Sequence, residues 1–118
     1  MKVEIESTTV VNNYYTRDGY SWAALNLIEE SKKYETFDYP LAGADLSYCW
    51  PIKNMKEFLE HVKRVKETDE KYPILLDDFG FVCDGRHRIC KAILAGKETI
   101  KAIRFPKMPN YDSYDPPK

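Results

Sequence analysis

A chain of 118 residues that is 43% hydrophobic and 31% charged is sized for one domain with a modest core. Eighteen Lys plus Arg against 19 Asp plus Glu leave a formal charge of -1, which excludes a global field for nucleic acid or acidic membranes; a polyanion partner would need a local patch. Cys49, Cys83 and Cys90 are odd in number and lack C-x-x-C spacing, which argues against a disulfide framework or a structural zinc site. With no apolar leader after Met1 and no run near the ~20 apolar residues of a membrane span, the expectation is a soluble cytoplasmic protein with no membrane partner.

Val3 and Ile5 alternate with charged residues, Val10 and Val11 follow, and Asn12-Asn13 and Asp18-Gly19 are turn pairs, so the first twenty residues predict short strands. Ser21 then suits the cap of a helix with Trp22, Ala24, Leu25, Leu27 and Ile28 on its apolar side, ending near Lys33 where cations suit the dipole. Residues 34–52 are broken by Pro40, Gly43 and Pro51 and read as a short strand and loops anchored by Phe37, Leu41, Leu46 and Trp50. Asn54 followed by Glu57 forms an Asn capping box, and Met55, Phe58, Leu59, Val62 and Val65 recur at helical spacing to about Glu67.

Residues 72–77 are strand-like, Asp78-Phe79-Gly80 is turn chemistry and residues 81–83 are a second strand, together a β-hairpin. A helix follows from the Asp84-Gly85 corner with Ile89, Ala92 and Ile93 as its buried stripe; Gly96 stands where a left-handed cap belongs, and residues 99–105 alternate as a strand. Four of the seven prolines fall in residues 106–118, predicting a single domain over 1–105 and a poorly ordered tail.

The chemistry concentrates at that corner. Arg86, His87, Arg88 and Lys91 lie in the first two turns of the helix, where the dipole and open N–H groups are already positive. Each misplaced cation costs about 0.3 to 1 kcal/mol, so the cluster points to an anion docked at the helix start, with Gly85 letting a ligand approach the backbone. Arg can grip a phosphate through two parallel N–H bonds, and His87 can add a hydrogen bond or a proton. The plainer alternative is that Asp84, as N-cap, with Asp77 and Asp78 neutralises the cluster.

The segment from Ile74 to Gly96, Ile-Leu-Leu-Asp-x-x-Gly-Phe-Val-x-Asp-Gly-Arg-His-Arg-Ile-x-Lys-Ala-x-x-x-Gly, resembles the core of the ParB/sulfiredoxin superfamily, whose signature is Gly-x-His/Arg-Arg at a helix start. The resemblance covers about half the chain with the Asn54 helix included, and it implies nucleotide phosphates at Gly85, His87 and Arg88. Partition proteins carry Gly-Glu-Arg-Arg, so Arg86 and His87 depart from them, and their helix-turn-helix and dimerisation segments are missing. Sulfiredoxins carry a catalytic cysteine where Arg86 stands, which excludes their thiol chemistry. The motif is similar in wording to the Asp-Gly-His-His-Arg of ADP-dependent free serine kinases, implying Asp84 and His87 as catalytic groups and Arg88 on phosphate; those kinases, however, are about twice as long. Small stand-alone bacterial and phage members of the superfamily share the Asp-Gly-x-His-Arg-Ile-x-Lys-Ala pattern.

The resulting expectation is an α+β, ParB/sulfiredoxin-like fold with a small mixed sheet and packed helices. Asp84 and His87 are the candidate catalytic residues, and Gly85, Arg86, His87, Arg88 and Lys91 the candidate nucleotide or phosphate ligands. The expected ligand is ATP, ADP or CTP, with Mg²⁺, serving phosphoryl transfer or nucleotide hydrolysis. The alternative is a non-catalytic nucleotide-sensing or DNA-associated adaptor. Asp45 is a guess for a general base, and Asp77 and Asp78 could add metal carboxylates. His61 reads as a boundary surface residue, the aromatic residues as core rather than a base-stacking platform, and the charge run from Lys63 to Lys71 as a solvated face.

Overall fold

Ile74, Leu75 and Leu76 are all buried, which a strand achieves only when both of its faces are covered. In the computed structural model, which describes residues 1–7 and 13–117, this strand (β4, Ile74–Leu76) lies inside a four-stranded sheet of order β3-β6-β4-β5. Strand β3 (Phe37–Pro40) runs antiparallel to β6 (Thr99–Arg104), β6 runs parallel to β4, and β5 (Val82–Asp84) closes an antiparallel hairpin with β4. The period-two alternation then divides the core. Ile74 and Leu76 join Ile100 and Ala102 against Ile89 and Ala92 of helix α3 (Arg86–Leu94). Leu75, Ile103 and Phe105 join Trp22 and Leu27 on the opposite face.

A second sheet of order β1-β2-β7 is built from β1 (Tyr14–Arg17), β2 (Tyr20–Ala23) and β7 (Ser113–Tyr114), all antiparallel. Helix α1 (Ala24–Ser31) follows β2 directly. The helix expected to start after Ser21 therefore starts two residues later than expected, at Ala24, because Tyr20–Ala23 satisfies its backbone in the sheet and Trp22 packs as strand core. The expected strand at Val10 and Val11, and Asn12 of the turn pair, fall outside the described residues; Val3 and Ile5 are described and are not in a strand.

Helix α2 (Met55–Glu67) begins where the capping box places it, with Asn54 Oδ1 accepting from the Glu57 N–H at 2.9 Å. The Glu57 carboxylate accepts from the Lys53 N–H rather than from Asn54's own. Helix α3 ends in a Schellman arrangement: Gly96, at φ +75°, donates to Ile93 O while Lys97 N–H donates to Ala92 O. Among the described residues no helix is long and apolar enough to cross a membrane.

The segment after Phe105, which its prolines mark as loose, returns to the three-stranded sheet. Trp22 Nε1 donates to Pro109 O at 2.8 Å, Asp112 accepts from Ala23 N–H and Asn26 Nδ2, and the Tyr20 ring lies 4.4 Å from that of Tyr114. Prolines remove donors and restrict the chain, but the tyrosines and Asp112 between them supply the docking contacts. An α+β domain with three α-helices and two small sheets among its described residues is the result.

Candidate functional site at the start of helix α3

The β5–α3 junction turns on Gly85, which sits at the N-cap with φ +107° and ψ 18°. This left-handed conformation favours glycine, and a Cβ here would meet Ile74 Cγ2 at 2.6 Å and the Arg88 guanidinium at 2.9 Å. No side chain caps the helix at this position, and its first turn-closing bond runs from Ile89 N–H to Gly85 O at 3.0 Å. The N–H groups of Arg86, His87 and Arg88 therefore precede the hydrogen-bonded ladder. A left-handed residue followed by right-handed ones makes successive N–H groups converge into an anion-binding concavity.

A hollow of about 650 Å³ opens beside this turn, lined by Asp84, Gly85, Arg86 and His87 on one side and by Tyr14, Tyr15 and Thr16 of β1 on the other. A second hollow of about 610 Å³, more apolar, lies between Tyr39, Leu46, Phe81 and Ile89. Tyr48, Trp50, Val82 and Arg86 line both. Arg86 stands at this shared wall, with its guanidinium carbon 4.3 Å from the Tyr48 ring centroid and one N–H donated to Val82 O at 3.2 Å. That leaves further guanidinium donors on a residue bordering both spaces.

The expected cation cluster is divided. Arg88 turns inward: its side chain is 10% exposed and donates to Asp84 Oδ2 at 2.9 Å and to Pro73 O at 3.1 Å. Its Nε is buried without a partner among the described residues. Lys91 donates to the carbonyls of Lys66 and Thr68, so it caps the C-terminal end of α2, where a cation suits the dipole. Arg86 and His87 face the hollow; Arg88 and Lys91 do not line it. Asp84 is not the N-cap but the partner of Arg88, so the alternative in which aspartates neutralise the corner holds for one cation.

Asp77 and Asp78 act elsewhere. Asp77 is fully buried and accepts from Tyr15 Oη at 2.6 Å, from Arg17 at 2.9 Å and from the N–H groups of Phe79 and Phe81, tying β1 to the hairpin turn. Burial by itself would raise this carboxyl, but those four donors outweigh it and hold it below the usual carboxylate range. Asp78 pairs with Arg17 at 2.5 Å. Burial, followed by the Asp77 bond, pushes the Tyr15 hydroxyl up, and burial does the same to the Cys83 thiol, which argues against a thiolate there.

His87 carries a partner absent from the sequence reading. Its Nε2 lies 2.9 Å from Nδ1 of His61 on α2, so one ring nitrogen donates and the other accepts. The two imidazoles are within 10° of parallel, and the Trp50 indole stacks on both, with ring centroids 4.1 Å from His87 and 4.7 Å from His61. Burial first, then the electrostatic influence of His61, Arg64 and Arg88, lowers the His87 pKa to about 4, so the ring is neutral at pH 7. No family model, curated protein or solved structure matches this chain.

The histidine pair escaped sequence reasoning because His61 and His87 are 26 positions apart on different helices. The available signal was the placement of His61 on the flank of α2's apolar stripe. Asp45, the guessed base, lines the second hollow, is exposed and accepts from the Ser47 N–H and Oγ. Those two bonds lower its pKa, favouring a carboxylate that is already engaged. Among the described residues no group of three or more His, Cys, Asp and Glu comes together to hold a metal ion.

Proposed function

We propose that this domain binds a phosphate-bearing small molecule, a nucleotide by its ParB-like motif, with the phosphate seated on the N–H groups at the start of α3 and Arg86 beside it. The observation that carries the reading is the uncapped, left-handed entry to α3 at the wall of a hollow large enough for such a ligand. Tyr48 and Trp50, which border both hollows, offer flat surfaces for a base. Gly85, Arg86 and His87 form the phosphate end, whereas Arg88 holds the turn in shape through Asp84.

Binding is favoured over phosphoryl transfer. A phosphotransferase needs a base aimed at the nucleophile and usually a metal, but the Asp84 carboxylate is paired with Arg88 and the His87 Nε2 is bonded to His61. Among the described residues no cluster of His, Cys, Asp and Glu side chains suits a resident metal. Mg²⁺ would arrive on the nucleotide's own phosphate oxygens, as this hard cation commonly does. The reading is therefore a ParB-like, nucleotide-sensing α+β domain.

The test is a thermal-shift series with ATP, ADP, CTP and inorganic phosphate, each with and without Mg²⁺. A ligand at a hundred times its Kd should stabilise the fold by about 2.7 kcal/mol, a shift of roughly 10 °C for a domain of this size. Arg86→Ala should remove the shift while keeping the fold. No response to any of these ligands refutes the reading, and release of labelled phosphate from bound nucleotide would restore the catalytic one.

A further inference from the structure

Helix α2 has the most regular apolar spacing in the chain, yet none of its residues is buried. Met55, Phe58 and Leu59 are 80%, 53% and 40% exposed. An amphipathic helix on a globular domain normally turns this stripe to the core. Here its engagement with α3 comes from other positions, through the His61–His87 bond and through Lys91 on the carbonyls of Lys66 and Thr68. Among the described residues the outward stripe is consequently an open, contiguous apolar face.

That face has a shape and a charge pattern. Its first half projects Met55 and Phe58, while beside its second half a groove of about 320 Å³ lies between Ile5 of the N-terminal segment and Leu59, Val62 and Lys66. Along its flank Lys56, Glu60, Lys63 and Glu67 recur at i, i+4, i+7 and i+11, a single row on a helix, with signs alternating plus, minus, plus, minus. Lys63 holds to this flank, 3.7 Å from Glu67 and donating to Ile5 O.

We propose that this face pairs with the same face of a second copy of the chain, the two α2 helices lying antiparallel about a two-fold axis. Reversal places the projecting Met55 and Phe58 of one copy at the groove beside Val62 and Lys66 of the other. It also sets Lys56 opposite Glu67 and Glu60 opposite Lys63, because an antiparallel two-fold brings this flank of one copy beside the same flank of the other. Opposed helix dipoles add to the same preference. Knobs and hollow, plus and minus, occupy the two halves of one surface, and this self-complementarity selects a second copy as the occupant.

The face is small for a dimer interface, so association in the micromolar range or weaker is expected. Sedimentation of the full chain up to about 1 mM should show a concentration-dependent rise toward twice the monomer mass. Leu59→Asp, at an exposed position, should raise the dimer Kd at least tenfold with an unchanged circular dichroism spectrum. Glu60→Lys and Lys63→Glu should each weaken their own homodimer about threefold to tenfold, and mixing the two variants should recover association, because each then meets an opposite charge. A monomer throughout the range overturns the proposal, as does a dimer indifferent to Leu59→Asp or a mixture no tighter than its separate components.

Discussion

Removing the Asp84 carboxylate tests whether Arg88 is a strut or a ligand. The pair is 2.9 Å apart with side chains 10% and 19% exposed, and the Arg88 Nε is already buried without a partner among the described residues. In Asp84→Ala the guanidinium keeps only the Pro73 carbonyl from its present side-chain bonds. Breaking a buried pair by deleting one partner costs about 3 to 5 kcal/mol, and the slight exposure puts this case near 3. Replacing both partners by apolar residues, Asp84→Leu with Arg88→Met, removes the stranded charge and should stay within about 1 kcal/mol of the original protein. In urea, with a slope of about 1 to 3 kcal/mol per molar, the single variant's midpoint should fall by about 1 to 3 M, and its Tm by roughly 10 °C. A loss under about 1 kcal/mol, or a double variant as weak as the single one, refutes the strut and returns Arg88 to the list of ligand-facing cations.

Three other outcomes follow from the same geometry. Gly85→Ala should destabilise by about 2 kcal/mol or more in the same urea assay, since it adds left-handed strain to a close approach on Ile74; an unchanged midpoint would refute the tight turn. Asp77→Ala should cost about 3 kcal/mol or more, because it strands Tyr15 and two N–H groups and leaves Arg17 to Asp78 alone, and loss of the near-ultraviolet signal around Tyr15 and Trp22 should accompany it. His87, lowered to about 4 from an unfolded value near 6.5, binds fewer protons when folded; stability should be full above about pH 6.5 and decline as pH falls toward 4. Unfolding profiles across that interval should flatten in His87→Gln, and an equal slope in both proteins would show that other groups are responsible.

Local chemistry made much of the second half legible. The Asn54 cap, the turn at Asp78-Phe79-Gly80, the corner at Asp84-Gly85, the left-handed cap at Gly96 and the alternation through β6 each depend on a few neighbouring residues, and each was readable; the left-handed φ of Gly85 was not. The start of α1 was not, because Ser21 and Trp22 suit a cap and an apolar helix face until β1 and β7 claim that backbone from either side. The C-terminal segment was hidden for a related reason: the contacts that dock it on Trp22 and Asn26 join residues more than eighty positions apart.

At the candidate site the sequence by itself determined where the glycine turn and the positive helix start would be, since both follow from φ preference and the backbone dipole. Tertiary structure decided what each side chain there does. Four basic side chains within six residues look alike on a line, but a helix spreads them around its circumference and each meets a different neighbour: Arg88 a carboxylate in the core, Lys91 the end of α2, Arg86 the hollow and His87 a second histidine. Direction of projection, which only packing fixes, separates the residues that hold the turn from those that face a ligand.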